Sequence, residues 1–172
     1  MKMVIKSSPF IFLTLMVAAT TQEKQAIVVL NGPTVKGNIT FVENGNRVII
    51  RGKVIGLNKG LHGFHIHEKG DLSNGCVSTG SHFNPDKKNH GSQTDRERHV
   101  GDLGNIEAND QGEVIINITD ERISLSRSKY NILGRAVVIH ADVDDLGRGN
   151  ETDSLTTGHA GARVACGIIG TL

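Results

Sequence analysis

The chain has no tryptophan, and its 172 residues include one tyrosine, five phenylalanines and three prolines. Scarce aromatics beside many valines, isoleucines and glycines favour a β structure with an aliphatic core. The chain also lacks an excess of charge of either sign, because its formal net charge at pH 7 is +1. We therefore expect neither nucleic acid nor an anionic membrane as a partner. The length fits one domain with a real core.

Cysteine is limited to Cys76 and Cys166. In an oxidising compartment the simplest arrangement is one disulfide between them. It would close a loop of about 90 residues, which chain entropy values at about 4 to 5 kcal/mol. The alternatives are a buried pair of free thiols or metal ligation. The absence of a Cys-x-x-Cys motif argues against metal ligation.

The first twenty residues have the parts of a secretory signal. Lys2 and Lys6 precede an apolar run from Phe10 to Ala19, and small residues follow as far as Thr20. The run is too short to span a bilayer. We predict a signal peptide over residues 1–20, cleaved near Ala19 and Thr20, and one mature domain over residues 21–172. A buried helix or strand and an uncleaved anchor are the alternatives.

Export defines the expected surroundings of the mature chain. Without Lys2 and Lys6 the formal net charge becomes −1, and no membrane attachment is expected. The location is extracellular, or periplasmic if the source is bacterial. Acceptor triplets that begin at Asn38, Asn117 and Asn150 would allow N-glycosylation.

Short apolar runs separated by turn residues predict about eight strands and no long helix. Asn44-Gly45 is a typical hairpin signal. Two segments, Gly70–Arg98 and Asp142–Gly161, lack sustained periodicity. The fold class that fits best is all-β, an eight-stranded Greek-key barrel or sandwich. The predicted strands cover residues 26–30, 35–42, 47–55, 61–68, 99–105, 113–119, 135–140 and 163–169.

Histidine is concentrated in one part of the chain. Six of the eight histidines fall between Leu61 and Asp102: His62, His65, His67, His82, His90 and His99. Neutral imidazole is the commonest zinc ligand and also suits copper, so the cluster indicates a metal site. His65 and His67 are two apart on a predicted strand, so their side chains share one face. Phe64 and Ile66 then face the core.

A set of motifs, in unbroken order from about Gln25 to the C-terminus, resembles the copper/zinc superoxide dismutases. The motifs are Gly63-Phe64-His65-Ile66-His67-Glu68, Gly80-Ser81-His82-Phe83-Asn84-Pro85, His90-Gly91, Arg98-His99-Val100-Gly101-Asp102-Leu103-Gly104-Asn105, Val138-Ile139-His140, Asp144-Asp145-Leu146-Gly147 and Gly161-Ala162-Arg163-Val164-Ala165-Cys166-Gly167. The resemblance implies the Greek-key barrel with long metal-binding and electrostatic loops.

The resemblance also implies one copper and one zinc per chain. The positions that match the copper ligands are His65, His67, His82 and His140. The positions that match the zinc ligands are His82, His90, His99 and Asp102. His82 would bridge the two metals and supply a proton during catalysis. A closed site of three histidines and one aspartate suits a structural zinc, and four nitrogen donors suit Cu(II).

Two further roles follow from the resemblance. Asp144 matches a carboxylate that accepts hydrogen bonds from one copper and one zinc histidine, which fixes ring orientation. Arg163 matches an arginine that attracts and orients the small anion. The implied reaction converts superoxide to dioxygen and hydrogen peroxide. Members commonly form homodimers through the C-terminal strand and the loop near Gly70, and polar Thr171 falls near that contact.

Some residues depart from the family or take ordinary roles. Thr156 stands where a lysine usually draws superoxide inward, so we expect weaker electrostatic guidance. His62 is interpreted as a structural hydrogen-bonding residue, and His159 as a channel-lining residue that binds no metal. The rival function is a non-catalytic copper or zinc binder, or a chaperone-like relative. A zinc hydrolase is disfavoured because a filled zinc site leaves no position for water.

Overall fold

The computed structural model describes residues 23–126 and 128–172. The predicted signal peptide falls outside this part of the chain. Within it, no helix has both the length and the apolar character needed to cross a membrane.

The described part of the chain contains ten strands. Eight of them form a continuous antiparallel path in the order β6-β4-β8-β9-β1-β2-β3-β7, and β10 pairs with β1. The ends of this path, β6 and β7, lie close together, so the sheet curls into a nearly closed barrel. The strands are β1 (Lys24–Asn31), β2 (Lys36–Asn44), β3 (Arg47–Ile55), β4 (Gly60–His67), β5 (Ser73–Cys76), β6 (Asp102–Ala108), β7 (Val114–Asp120), β8 (Ala136–His140), β9 (Arg163–Ile168) and β10 (Gly170–Thr171).

The hairpin between β2 and β3 shows how the sequence sets the register. Asn44 pairs with Arg47 across a two-residue turn, and Gly45 has φ of 64°. This left-handed conformation is one that glycine adopts without steric cost. Ile39 and Phe41 on β2 are fully buried. Alternation along the strand therefore places aliphatic and aromatic side chains inside the barrel, as predicted.

Three details of the strands differ from the sequence expectation. β6 begins at Asp102 rather than at His99, because residues 99–101 form a turn. The irregular segment from Gly70 contains the short strand β5 and a 3-10 turn at Val77–Thr79. Ser154–Thr157 forms a single helical turn, α1, in the second irregular segment. Short elements of this size leave no periodicity that a sequence pattern could reveal.

The predicted disulfide is present between Cys76 and Cys166, 90 residues apart in sequence. Cys76 is the last residue of β5, and Cys166 lies in β9. The bond therefore joins the first long loop to a strand of the barrel.

Candidate metal centre

Four buried histidines converge at one edge of the barrel: His65, His67, His82 and His140. One ligand nitrogen from each lies within 4.8 Å of the others. We call this set the four-histidine group. His65 and His67 are on β4 and His140 ends β8, which pairs with β4 in antiparallel register. His82 reaches them because it forms an isolated β-bridge with His67.

Neighbouring acceptors fix which ring nitrogen carries hydrogen in three of these histidines. His67 Nδ1 donates to the Gly80 carbonyl at 2.8 Å, and His140 Nδ1 donates to the Gly161 carbonyl at 3.2 Å. His65 Nε2 donates to Asp144 Oδ2 at 2.8 Å. Carbonyls and carboxylates only accept hydrogen bonds, so the opposite nitrogen of each ring keeps a free lone pair.

Those opposite nitrogens are buried without a hydrogen-bond partner. In the described part of the chain, the buried side-chain atoms left unpaired include five histidine nitrogens: His65 Nδ1, His67 Nε2, His82 Nε2, His90 Nδ1 and His140 Nε2. An unpaired buried polar atom costs about 1–3 kcal/mol. Lone pairs that converge in this way fit a bound cation, and four nitrogen donors suit copper.

A second set of donors surrounds one carboxylate, and we call it the Asp102 group. Asp102 Oδ1 lies 2.8 Å from His82 Nδ1 and 3.1 Å from His99 Nδ1. Asp102 Oδ2 lies 3.1 Å from His90 Nδ1. The structure therefore brings together His82, His90, His99 and Asp102, all of them buried. Three imidazoles and a carboxylate are a donor set that zinc prefers.

His65 also lies near this second set, because His65, His82, His90 and Asp102 present ligand atoms within 4.8 Å of one another. His65 has only one free nitrogen, however, since its Nε2 is bonded to Asp144. That nitrogen cannot serve both sets. His99 Nδ1, which lies 3.4 Å from His82 Nδ1, supplies the remaining donor of the Asp102 group.

The pKa values of the site reflect burial among two carboxylates. Burial raises the pKa of a carboxyl, yet hydrogen bonds from histidines hold the pKa of Asp102 and of Asp144 well below the ordinary value. Burial would lower the pKa of His90, but these two carboxylates outweigh it and raise that pKa to about 9. Burial lowers the pKa of His140 to about 4. His140 is therefore neutral near pH 7, as ligation requires.

Asp144 joins the two sets. Its Oδ2 accepts from His65 and its Oδ1 accepts from His90 Nε2, each at 2.8 Å. The side chain of Asn105 fixes the backbone of Asp144 in turn. Asn105 Nδ2 donates to the Asp144 carbonyl and Asn105 Oδ1 accepts from the Asp144 nitrogen, each at 2.8 Å. Asp144 thus lies between one histidine of each set. Such a partner sets ring orientation and tautomer on both sides.

Arg163 lies beside the four-histidine group, opposite His140 in the pairing of β8 and β9. Its Nη1 donates to the carbonyls of Cys76 and Val77, at 2.7 and 3.0 Å. Its Nη2 donates to the Gly80 carbonyl at 2.8 Å. The disulfide-linked segment therefore fixes the guanidinium. An open depression is lined by Arg163 together with His67, His82 and His140.

Residues 35–169 match the copper/zinc superoxide dismutase (SODC) family. The chain belongs to the copper/zinc superoxide dismutase family. The resemblance seen in the sequence motifs is therefore confirmed. Copper and zinc are the cofactors of this family, and the two converging donor sets fit them.

Named relatives agree with this membership. The chain is 54% identical to the extracellular superoxide dismutase [Cu-Zn] of Drosophila melanogaster over 154 residues, which cover 85% of this chain and 84% of that protein. It is 60% identical to the extracellular enzyme of Haemonchus contortus over 136 residues, covering 79% and 74%. The solved structure of the clock protein EA4 superposes with a TM-score of 0.85 at 50% identity, covering 91% of this chain and all of that one.

The two histidines without a predicted metal role, His62 and His159, have the following surroundings. His62 lies between two backbone carbonyls, with Nδ1 at 3.0 Å from the His140 oxygen and Nε2 at 2.9 Å from the Asn58 oxygen. His159 lines the open depression, and its Nδ1 donates to Asp153 Oδ1 at 2.7 Å.

Sequence reasoning missed the groups that orient the donors. The Gly80 and Gly161 carbonyls are backbone atoms, so no residue type indicates them. Arg98 is also buried, and its guanidinium donates to the Asp102 carbonyl and to Asp120 Oδ2, each at 2.7 Å. Arg98 directly precedes His99 in the sequence. Its position beside a predicted ligand was the signal that could have indicated an orienting role.

Proposed function

We propose that this chain dismutes superoxide, converting two superoxide anions and two protons to dioxygen and hydrogen peroxide. The observation that carries the proposal is the pair of buried donor sets that share His82. Its Nε2 is directed into the four-histidine group, while its Nδ1 faces Asp102. A ring that offers one nitrogen to each of two sites is what a bridged copper/zinc centre requires.

Copper is assigned to the nitrogens left free by the hydrogen bonds described above, on His65, His67, His82 and His140. Zinc is assigned to His82, His90, His99 and Asp102. Asp144 holds His65 and His90 in the tautomers that leave Nδ1 free. One copper and one zinc per chain follow from these assignments. When bound, copper supplies one-electron redox chemistry, whereas zinc supplies charge and structure without redox change.

Arg163 binds and orients the anion. Its guanidinium is anchored to three carbonyls of the segment from Cys76 to Gly80, so it cannot turn away from the depression. Its fixed positive charge stands next to His140 in the sheet. A preorganised cation attracts a small anion and costs no reorganisation when that anion arrives.

His82 moves the proton that peroxide formation needs. Burial lowers the pKa of His82, so the ring carries no second proton near pH 7. Nε2 is then free to accept a proton and to give it to the departing peroxide. Its other nitrogen, at 2.8 Å from Asp102, keeps the ring in place while Nε2 exchanges protons.

The rival function is metal binding without turnover. A buffer needs neither a shared imidazole nor an anchored arginine beside the donors, so the described geometry favours catalysis. The test is direct superoxide decay, measured on protein loaded with both metals and on the apo form. Catalysed decay in the loaded form alone, with one copper and one zinc by metal analysis, supports dismutation. Zinc alone at full occupancy with no catalysed decay would establish the buffer instead.

We also propose that the chain forms a homodimer. Ile168, at the end of β9, and Leu172, just after β10, expose 42% and 69% of their surface. Apolar side chains left exposed in this way suit burial against a second copy. Light scattering of the purified chain should give twice the monomer mass, and a monomer mass would contradict the dimer.

Export is part of the same proposal. The disulfide, the N-terminal motif and relatives named extracellular support a mature chain that acts outside the cytosol. Mass spectrometry of secreted protein should find the mature N-terminus near Thr20. A product that keeps Met1 after secretion would contradict the predicted signal.

A further inference from the structure

The turn before His99, residues 92–98, belongs to none of the strands. Few backbone hydrogen bonds fix it, and the clearest runs from Asp95 N to the Ser92 carbonyl at 2.9 Å. A segment without strand pairing needs other donors for its carbonyls. The position of His99 therefore depends on side chains that reach the 92–98 turn from elsewhere.

One arginine supplies most of those donors. Arg122 Nη2 donates to the carbonyls of Asp95 and Arg96, at 2.8 and 2.7 Å. Arg122 Nη1 donates to the Arg98 carbonyl at 3.2 Å. The last of these carbonyls belongs to the residue immediately before His99. A planar guanidinium presents its donors in a fixed fork, so one arginine side chain can hold three carbonyls in a defined arrangement.

Arg122 is itself fixed by the end of β7. Asp120 Oδ1 accepts from the backbone nitrogens of Arg122 and Ile123, at 2.8 and 2.9 Å. Asp120 Oδ2 accepts from Arg98 Nη2 at 2.7 Å. Arg98 in turn donates to the carbonyls of His99 and Asp102, at 3.2 and 2.7 Å. Arg122 thus binds the chain before His99, and Arg98 binds the chain after it.

We propose that Arg122 is a positioning residue for the Asp102 group, and that it sets zinc affinity by holding the 92–98 turn and hence His99. The inference rests on the proposed function, in which His99 is a zinc ligand. The side-chain hydrogen bonds described above for Arg122 go to the backbone carbonyls of Asp95, Arg96 and Arg98. Arg122 acts through three carbonyls, as other outer partners of metal ligands act through hydrogen bonds.

The test compares Arg122→Ala with a matched control, Arg51→Ala. Arg51 is an exposed arginine on β3 with one side-chain contact, to Asn117 Oδ1 at 3.4 Å. Zinc affinity is measured by chelator competition on protein loaded with zinc alone. We expect Arg122→Ala to weaken zinc binding by about tenfold or more, since outer partners typically contribute 10–100-fold. Arg51→Ala should stay within about twofold of the wild type by the same scale.

Cobalt(II) in the zinc position gives a second readout, because its visible spectrum follows coordination geometry. Arg122→Ala should alter that spectrum, and Arg122→Lys should restore it in part. If Arg122→Ala does not fold, the affinity test uses Arg122→Lys alone. Its zinc affinity should then fall below that of the wild type, by less than the tenfold expected for Arg122→Ala. An unchanged affinity and cobalt spectrum in both variants would overturn the inference.

Failure of this inference is distinguishable from failure of the proposed function. Wild-type protein that binds no zinc would remove the assignment of the Asp102 group and, with it, the proposed function. Wild-type protein that binds zinc and dismutes superoxide, with Arg122→Ala equal to Arg51→Ala in affinity, would remove only the role of Arg122.

Discussion

The two halves of the metal centre are built in different ways. Three of the four-histidine donors stand on the paired strands β4 and β8, and backbone ladders fix them. His65 pairs with Val138 and His67 pairs with Ala136. The Asp102 group instead draws His90 and His99 from a loop. Strand pairing positions one half, whereas side-chain hydrogen bonds position the other.

The comparison explains where charged side chains are buried. Arg98, Asp102 and Asp144 are at most 2% exposed, and all three bind donors or carbonyls on the zinc side or between the halves. A buried charge is costly unless it is paired and hydrogen-bonded. The loop half therefore depends on a network in which each member needs the others, while the strand half depends on the barrel itself.

The largest expected effect tests the strand half. His140→Ala should remove copper binding and lower activity by more than about 100-fold, because even outer partners contribute 10–100-fold. Zinc binding should remain, since His140 is not among the Asp102 donors. Metal analysis and superoxide decay measure both effects. His159→Asn, which changes a histidine outside the donor sets, should keep both metals. Dismutation retained by His140→Ala would remove that residue from the site.

Reducing the disulfide should lower the thermal stability of the whole domain, with no difference expected between the four-histidine group and the Asp102 group. A 90-residue loop becomes free in the unfolded chain, at a cost of about 4 to 5 kcal/mol. For a domain of this size that corresponds to a fall in Tm of about 10–20 °C. Calorimetry with and without a reductant measures the fall in Tm. The double variant Cys76→Ser, Cys166→Ser, which cannot form the disulfide, provides a third sample for comparison. Equal melting temperatures for all three samples would contradict a stabilising bond.

Asp144→Asn should sharpen the difference between the halves. An amide can accept at only one of its two positions, so one of His65 and His90 loses its acceptor. His90, which lies on a loop, should suffer more than His65, which the β4 ladder also holds. We expect zinc affinity to fall about 10–100-fold and copper affinity to fall less. Competition titrations give both values, with exposed Asp153→Asn as control. An equal loss of both metals would break the comparison.

Thr156→Lys is the smallest expected effect. A lysine there would add one cation to the segment that lines the depression, and superoxide should arrive faster. One exposed charge should raise the second-order rate by about twofold at low ionic strength and by less at high salt. Thr156→Gln controls for size. A wild-type rate near the diffusion ceiling with steep salt dependence would contradict the weak guidance inferred from Thr156.

The same difference decides how much the sequence could predict. Alternation on β4 correctly placed His65 and His67 on one face, with Phe64 and Ile66 buried in the core. His99, in contrast, was expected on a strand but lies in a turn before β6. Strand geometry follows from a local period of two, whereas the turn depends on contacts with distant Asp120 and Arg122. Such contacts leave no local pattern.

Resemblance supplied what periodicity could not. Asp102 and the carboxylate of Asp144 were expected only because ordered motifs matched a family, and the assignment of His90 to zinc came from the same match. The acceptors at Gly80 and Gly161 were not expected at all, since every residue has a carbonyl. Physical reasoning from sequence therefore reached the barrel and one ligand pair, and the remaining geometry needed the folded chain.

The anchoring of Arg163 has a consequence for the maturation of the protein. Its guanidinium is bonded to the carbonyl of Cys76 itself, at 2.7 Å, and Cys76 is tied to β9 by the disulfide. The disulfide therefore restrains the segment that anchors Arg163, the residue proposed to bind the anion. A newly made chain that has not yet been oxidised would carry its metal donors before it could select its substrate. Disulfide formation outside the cytosol would then establish anion binding by Arg163 as well as the stability of the fold.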